Sequence, residues 1–462
     1  MSDLYGIMSL AGQALLTQQQ AISVTSHNIA NVNTPGYSRQ RLAMATGRPL
    51  DSTVGPMGTG VTGTEIERIY DRFLGVQINN ENQGLGQWEA HNKAVEMLEI
   101  FFNEADGSGL SPAMSEFWNA WQALTNNPSG QTERQVLITR SQILATTFNR
   151  LDSNLTQSRQ DLDFSIQGTV QEINRLSEQI ADLNEKIISM EAGGQSANDY
   201  RDQRDLMLQE LSKSIDINTS EDTTGAVSVF VASGSPLVAG SMTWQLSTET
   251  NASGLQDVVW VDGSGSTTNI TSDISGGNLR GWLEVRDVVI ADYQNRLDTL
   301  AQTLINEVNT LHLTGFALDG SAGEVFFNGT AAADIDVNAN IVGNPDLVAA
   351  ASDPTRVPGD NTKAIEITGL QYQLTMSANT ATFNDYFSSL IRDVGNEVIK
   401  SDSYYDHQAE MVAYLDNYRE SISGVSLDEE MINLIKFQTA YTAAAKLIST
   451  ADELMESVLN MI

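Results

Sequence analysis

The chain has 462 residues, with 59 acidic side chains against 25 basic ones, which gives a formal net charge of −34. This charge disfavours binding to nucleic acids and to anionic membranes, because their phosphate groups are also negative. Cysteine is absent, so the sequence excludes disulfides and thiolate metal sites. Histidine, the other usual metal ligand, occurs four times.

The first predicted element is a helix with an apolar stripe on a seven-residue repeat. This N-terminal seam consists of Leu4, Met8, Ala11, Leu15, Gln18, Ile22, Thr25 and Ile29. Spacings that alternate between four and three residues are typical of coiled coils. The polar Gln18 and Thr25 are expected to fix the register of the seam at some cost in stability.

A turn is predicted where this helix ends. The turn segment is Asn31-Val32-Asn33-Thr34-Pro35-Gly36-Tyr37. Thr34 favours extended geometry because it precedes a proline. Pro35 and Gly36 fit the two central positions of a type II turn. Extended sequence with many turn residues is predicted to continue to about Thr64.

The middle of the chain is predicted to be mainly helical. Ser111 followed by Pro112 fits a helix start. Further helices are predicted at Ile166–Met190, Asp199–Ile215, Leu279–Leu313 and Phe383–Ile422. The first two of these are expected to form a helical hairpin, and a looser segment is predicted between the last two.

A small β domain is predicted inside this helical body. Between about Asn218 and Gly277 the composition shifts to Thr, Ser, Gly and Val. Val227–Val231 and Val258–Val261 alternate as strands do. Because both ends of the chain are helical, we expect an elongated rod with both termini at one end and the β segment at the tip.

The last predicted helix carries a second seam. Ser426-Leu427-Asp428-Glu429 fits a capping box at its start. The C-terminal seam consists of Leu434, Phe437, Tyr441, Ala444, Ile448, Ala451, Met455, Val458 and Ile462. An exposed apolar helix is marginal in water, so we expect both seams to be assembly surfaces that are poorly ordered until they pack against neighbouring copies.

The sequence carries no recognisable active site. Gly58–Gly63 matches G-x-G-x-x-G, but the residues after it alternate like a strand instead of starting a helix, which favours a turn. His407 and Glu410 have a spacing seen in some metal sites, but a second such pair is missing. The acidic pair Asp202 and Asp205 is interpreted as a solvated helix face. We therefore predict no enzyme, no metal site and no cofactor.

Several motifs resemble those of bacterial flagellar rod, hook and hook-associated proteins. The N-terminal motif lies in residues 18–22 and 28–40. Its signature turn comprises Asn28, Asn31, Asn33, Thr34, Pro35, Gly36 and Tyr37. Tyr37-Ser38-Arg39-Gln40, where rod and hook proteins tend to have Tyr-Lys, indicates the hook-associated protein 1 family. Further similar elements lie at residues 60–74, 198–205, 276–287 and 423–444, so the resemblance covers most of the chain.

The resemblance and the residue patterns lead to one predicted fold. It is mainly α with an inserted β domain, an elongated multidomain rod whose N- and C-terminal helices pair as a coiled coil at one end. The expected domains are residues 1–45 plus 424–462 for assembly, 46–217 plus 278–423 for the helical body, and 218–277 for an outward-facing β domain.

The resemblance also implies a structural role at the junction of hook and filament, where the protein would template filament assembly. The implied partners are further copies in a ring, the hook protein, hook-associated protein 3, the type III export apparatus and an export chaperone. The chaperone is expected to cover Leu434, Phe437, Tyr441, Ile448, Met455 and Val458. We expect an extracellular flagellar location after a transient cytoplasmic stage, without a cleaved secretory signal, a membrane span or bound nucleic acid. The alternatives are a distal rod or hook subunit and a secreted adhesin or enzyme.

Overall fold

The computed structural model describes residues 2–52, 55–104, 107, 109–231 and 234–460. Helices dominate these residues. The helices are α1 Ser2–Ala30, α2 Arg72–Phe102, α3 Leu110–Asn126, α4 Gln131–Ala192, α5 Asn198–Ser214, α6 Gly277–Glu284, α7 Ile290–Leu313, α8 Ala339–Gly343, α9 Thr362–Gly369, α10 Phe383–Ser423 and α11 Leu427–Leu459. A π-helical turn, Val285–Val289, joins α6 to α7.

The strands are short and pair antiparallel. They are β1 Gln40–Thr46, β2 Leu50–Ser52, β3 Gly55–Met57, β4 Val61–Arg68, β5 Ile217–Glu221, β6 Val227–Val231, β7 Ser235–Ala239, β8 Met242–Thr243, β9 Gln245–Thr250, β10 Gln256–Val261, β11 Thr267–Asn269, β12 Phe327–Asn328 and β13 Asp336–Val337. β1 pairs with β4, β2 with β3, and β12 with β13. Between α5 and α6, the strands form one sheet in the order β5-β6-β7-β8 and a second in the order β11-β10-β9.

Two hydrophobic cores follow each other along α4, a helix of 62 residues that is about 93 Å long at 1.5 Å per residue. Core A contains the buried residues of α3, of α4 up to Leu162, of α7 and of the start of α10. Core B contains the buried residues of α4 from Ile166 onward, of α5, of α6 and of the sheets between α5 and α6. The long helix therefore supports both cores.

The β segment is not the tip of the molecule, so that prediction is wrong. Its strands pack on the second half of α4, where buried residues such as Val229 and Val231 share core B with Ile173 and Ile180. An apolar sheet face needs a helix face to cover it, and position in the sequence does not say which helix provides that face. The first half of α4 extends past the strands into core A. There it packs with α3 and with the segment between α7 and α10 that was predicted to be loose.

Most predicted helices are present, and the predicted fold class is confirmed. α5 and α10 begin or end within one residue of their predicted bounds. α3 begins at Leu110 with Gly109 in the capping position, so the predicted start at Ser111 is slightly wrong. No helix in the described part of the chain is apolar over the length that a bilayer span requires.

Candidate functional site

The two terminal helices lie side by side, and their predicted seams face each other. All eight residues of the N-terminal seam are buried or partly buried. On α11, Ala444 and Ala451 are buried; Leu434, Phe437, Ile448 and Met455 are partly buried; Tyr441 and Val458 are exposed at the edge. Ile462 lies outside the described residues. Within one chain the two seams therefore cover each other. Their expected contacts with neighbouring copies stay a prediction.

α1 has a second buried face, which the seam pattern did not reveal. Here Ala21 and Val24 are buried beneath strands β1 and β4. The Thr17 hydroxyl donates to the carbonyl oxygen of Val61 at 3.1 Å. Gly63 comes so close to α1 that a Cβ atom there would lie 2.7 Å from Oε1 of Gln20. The small residues on this face allow the strands to approach the helix.

Large apolar side chains remain exposed on the other faces of the terminal helices. These outer apolar residues are Tyr5, Ile7 and Leu16 on α1, with Met431, Ile432, Ile435, Leu447, Leu454 and Leu459 on α11. They lie off the heptad positions, so the seam pattern does not include them. Exposed apolar side chains grouped in this way indicate a surface for protein contacts.

The signature turn has the predicted conformation. The Tyr37 amide donates to the Thr34 carbonyl oxygen at 3.2 Å, and Gly36 has a φ angle of 77°. A positive φ at the third residue defines a type II turn and favours glycine there. Asn33, Thr34 and Pro35 are exposed, so the tip of the turn faces solvent.

Asn28 holds this turn against both terminal helices. Its Oδ1 accepts from the Tyr37 hydroxyl at 2.8 Å and from the Gln40 amide at 3.0 Å. Its Nδ2 donates to the Gln40 carbonyl at 2.8 Å and to Oε2 of Glu430 at 3.0 Å. Asn28 is 1% exposed. A buried carboxamide with two donor and two acceptor contacts explains why asparagine occupies this position.

Arg39 joins the turn to the start of α11. Its Nε donates to Glu430 at 2.8 Å, and its Nη1 donates to Glu429 at 2.7 Å. The predicted capping box is wrong: within the described residues, the side chain of Ser426 makes no capping hydrogen bond, although Ser426 occupies the capping position. The carboxylate that would complete the box binds Arg39 instead.

The same turn is bound to the helical body through α5. The Ser38 amide donates to Asp202 at 2.9 Å, and Arg68 bridges Asp202 and Asp205 at 2.9 and 2.8 Å. Burial raises the pKa of Asp202, although Ser38 and Arg68 act in the opposite direction. Burial would lower the pKa of Arg68, but the two carboxylates outweigh it and raise that pKa. The acidic pair interpreted as a solvated face therefore anchors the termini to the body, with Asp202 buried and Asp205 partly buried.

Comparisons with known proteins now decide the family. A model of the FlgK helical domain of flagellar hook-associated proteins matches residues 95–327. Flagellar hook-associated protein 1 of Bacillus subtilis (strain 168) is 31% identical, over 98% of this chain and 97% of that one. The chain belongs to the flagellar hook-associated protein 1 family. The member from Escherichia coli (strain K12) is 26% identical over 98% of this chain and 99% of that one.

A solved structure with the same fold and two family models that match the termini agree with this assignment. The flagellar hook junction protein FlgK from Burkholderia pseudomallei has the same fold, with a TM-score of 0.69 at 16% identity over 75% of this chain and 100% of that chain. Two models of flagellar basal body rod proteins match residues 8–37 and 419–461. These two matches cover most of α1 with the signature turn, and all of α11.

The residues that the sequence analysis weighed for metal or cofactor chemistry do not form such a site in the described structure. His407 and Glu410 are both exposed. Among the described residues, no three histidine or acidic side chains are close enough to hold a metal ion. Gly58–Gly63 leads into strand β4, and no helix follows it directly. What the site offers is a surface for protein contacts.

Proposed function

We propose that the protein is a structural subunit of the flagellar hook–filament junction and that its outer apolar residues make the contacts between copies. One observation carries this proposal: the terminal helices satisfy their seams within the chain and still expose a second set of large apolar side chains. The names of the relatives, hook-associated protein 1 and hook junction protein FlgK, support the junction as the place where these contacts form.

The proposed assembly is a ring that lies between the hook protein and hook-associated protein 3. The contacts of Asn28 and Arg39 hold the signature turn against the terminal helices, and α5 binds the same turn to the body. Each copy would therefore present its outer apolar residues in the same orientation. Identical subunits with identical contact surfaces close into rings when the rotation between them allows it. Such a ring would give the first filament subunits a surface on which to assemble.

A second candidate is a distal rod or hook subunit. The matches of rod-protein models to both termini favour it, whereas the match over residues 95–327 favours the junction protein. Electron microscopy of the purified protein separates the two candidates, since a rod or hook subunit would form long tubes and a junction subunit short rings.

A deletion strain tests the proposal. We expect deletion to abolish swimming and filament attachment, and the wild-type gene to restore both. The double variant Ile432→Asp with Leu447→Asp should fold and be exported but leave filaments unattached, because two charges would replace exposed apolar contacts. Met242→Asp, at an equally exposed position on β8, is the matched control and should restore swimming. A swimming deletion strain, or a swimming double variant, would contradict the proposal.

We also propose that the unfolded chain leaves the cytoplasm through the type III export apparatus and that a chaperone covers α11 beforehand. The C-terminal seam supports this idea, because Phe437 and Ile448 give it large apolar side chains that a chaperone would cover before α1 does. In the folded chain α1 covers that seam, so a chaperone bound there would have to displace α1. Chaperone binding and pairing of the terminal helices are therefore expected to exclude each other.

A further inference from the structure

Core A gives way to core B at one level of the body. On α4, Leu162 belongs to core A and Ile166 to core B. In the segment that runs from α6 to α7, Leu283 belongs to core B and Val285 to core A. Trp282 packs against both cores. The apolar packing thus changes from one core to the other within a few residues on two neighbouring segments.

A buried ion pair lies at this level. Arg286 is 1% exposed and Asp163 is 8% exposed. Nη1 of Arg286 donates to Oδ1 of Asp163 at 2.6 Å. Nε and Nη2 of the same guanidinium donate to the carboxylate of Asp287 at 2.8 and 2.7 Å. The pair joins the middle of α4 to the π-helical turn.

The same two side chains also hold the start of strand β10. Oδ2 of Asp163 accepts from the Gln256 amide at 3.2 Å, and Nη1 of Arg286 donates to the Gln256 carbonyl oxygen at 2.6 Å. One residue of the β segment therefore has both of its backbone groups bound to the ion pair. A helix, a helical turn and a strand meet at a single polar contact.

The π-helical turn accounts for the burial of Arg286. In an α-helix, residues five apart point in directions about 140° apart. The wider π turn at Val285–Val289 is closed by the Ile290 amide, which donates to the Val285 carbonyl oxygen. It allows Val285 and Ile290 both to be buried while Arg286 reaches Asp163. Turns of this kind are rare and are often found at functional positions.

We propose that Asp163, Arg286 and Gln256 form a joint that holds core A and core B at one fixed relative position. Apolar packing is not directional, so it stabilises each core without fixing the angle between them. A buried ion pair adds little net stability compared with apolar residues of similar size, but its geometry is specific. The joint makes one stiff body out of two apolar units, and without it the two units move and unfold separately.

The test compares the full-length protein with Arg286→Met by hydrogen exchange and calorimetry. The variant leaves Asp163 as a buried charge without its partner, which is strongly destabilising at the site. We expect exchange to accelerate by about 100-fold around residues 160–166, 256–261 and 283–290, since a broken buried pair costs the local structure that much. Calorimetry should resolve two transitions where the wild type shows one.

Arg134→Met is the matched control. Arg134 is also 1% exposed, but it donates to backbone carbonyls of Pro128 and Val348 at the start of α4, beside core A. This variant should lower stability and keep a single transition. A single transition for Arg286→Met, exchange raised evenly in both cores, or unchanged exchange would each overturn the proposal.

Arg286→Lys replaces the methionine variant if that variant does not fold. Lysine keeps the positive charge but cannot hold Asp163, Asp287 and Gln256 at once, because it lacks the planar fork of a guanidinium. Faster exchange confined to the same three segments supports the joint. Evenly raised or unchanged exchange in Arg286→Lys overturns it.

Discussion

At the scale of single residues, Asn28 makes four buried or partly buried hydrogen bonds that join the signature turn to both terminal helices. Asn28→Ala would remove the hydrogen bonds that Asn28 makes with Glu430, Tyr37 and the backbone of Gln40. Because buried polar groups without partners are costly, we expect the free energy of unfolding to fall by about 3 kcal/mol. Urea unfolding monitored by circular dichroism measures this change. Asn33→Ala, at an exposed position of the same turn, should change it by less than about 0.5 kcal/mol; similar losses for both variants would contradict the assigned role of Asn28.

His312 predicts how stability depends on pH. Burial lowers its pKa from 6.5 to about 4, and its Nε2 accepts from the Ala349 amide at 2.9 Å, which requires the neutral ring. The unfolded chain therefore binds a proton that the folded chain does not, and the stability contributed by this group is lost as pH falls from 6.5 towards 4.

The measurement is the free energy of unfolding at pH 7, 6 and 5. Each pH unit within this window should cost the wild type about 1 kcal/mol through His312. His312→Gln should be less stable at pH 7 but should lose less stability as the pH falls. An unchanged slope for His312→Gln would contradict the assignment.

The sequence indicated which residues matter at the signature turn but not what they do. The type II turn was predictable because its geometry depends on Pro35 and Gly36, which are adjacent. The contact between Asn28 and Glu430 joins opposite ends of the chain, and no local pattern reveals it. For the same reason the glutamate of the predicted capping box was assigned to the wrong partner, since Arg39 competes for it.

At the scale of elements, long periodic helices were predictable and short elements were not. α10, α11 and the second half of α4 carry their apolar positions in regular spacing over many turns, so the pattern alone indicates a helix. α4 begins at Gln131, well before the predicted start at Ile166. α8, α9 and strands β12 and β13 lie in a segment that looked loose. Their order comes from packing against core A, through residues such as Phe326 and Phe327, and that packing depends on contacts distant in sequence.

The C-terminal helix allows a test of the proposed chaperone contact. Phe437→Asp and Ile448→Asp each place a charge on the seam, so either should weaken chaperone binding about 100-fold, as expected when an apolar anchor is replaced. Isothermal titration measures the affinity. Ile432→Asp changes the opposite face of α11 and serves as the control with near-normal affinity. Unchanged affinity for both seam variants would show that the chaperone binds elsewhere.

At the scale of the whole molecule, burial is graded from the body to the termini. α4 has buried side chains along most of its length, facing two cores. α11 buries Glu430, Ala444 and Ala451 and packs on α1. Segments with few buried apolar contacts open more easily than the rest of a protein. The terminal pair therefore combines few buried side chains on α11 with exposed apolar side chains that assembly would bury.

Hydrogen exchange on the dilute, unassembled protein tests this gradient. We expect amides of α11 beyond Ala444 to exchange at least about 100-fold faster than amides of α4 between Leu144 and Ile180, because their opening exposes little apolar surface. Assembly should slow exchange in α11 and leave α4 unchanged. The part of α10 around Leu390 packs in core A and provides an internal control, since its protection should match that of α4. Equal protection of α11 and α4 before assembly would mean that the terminal pair is already as stable as the body. That result would contradict the proposal that assembly stabilises the terminal pair by burying the outer apolar residues.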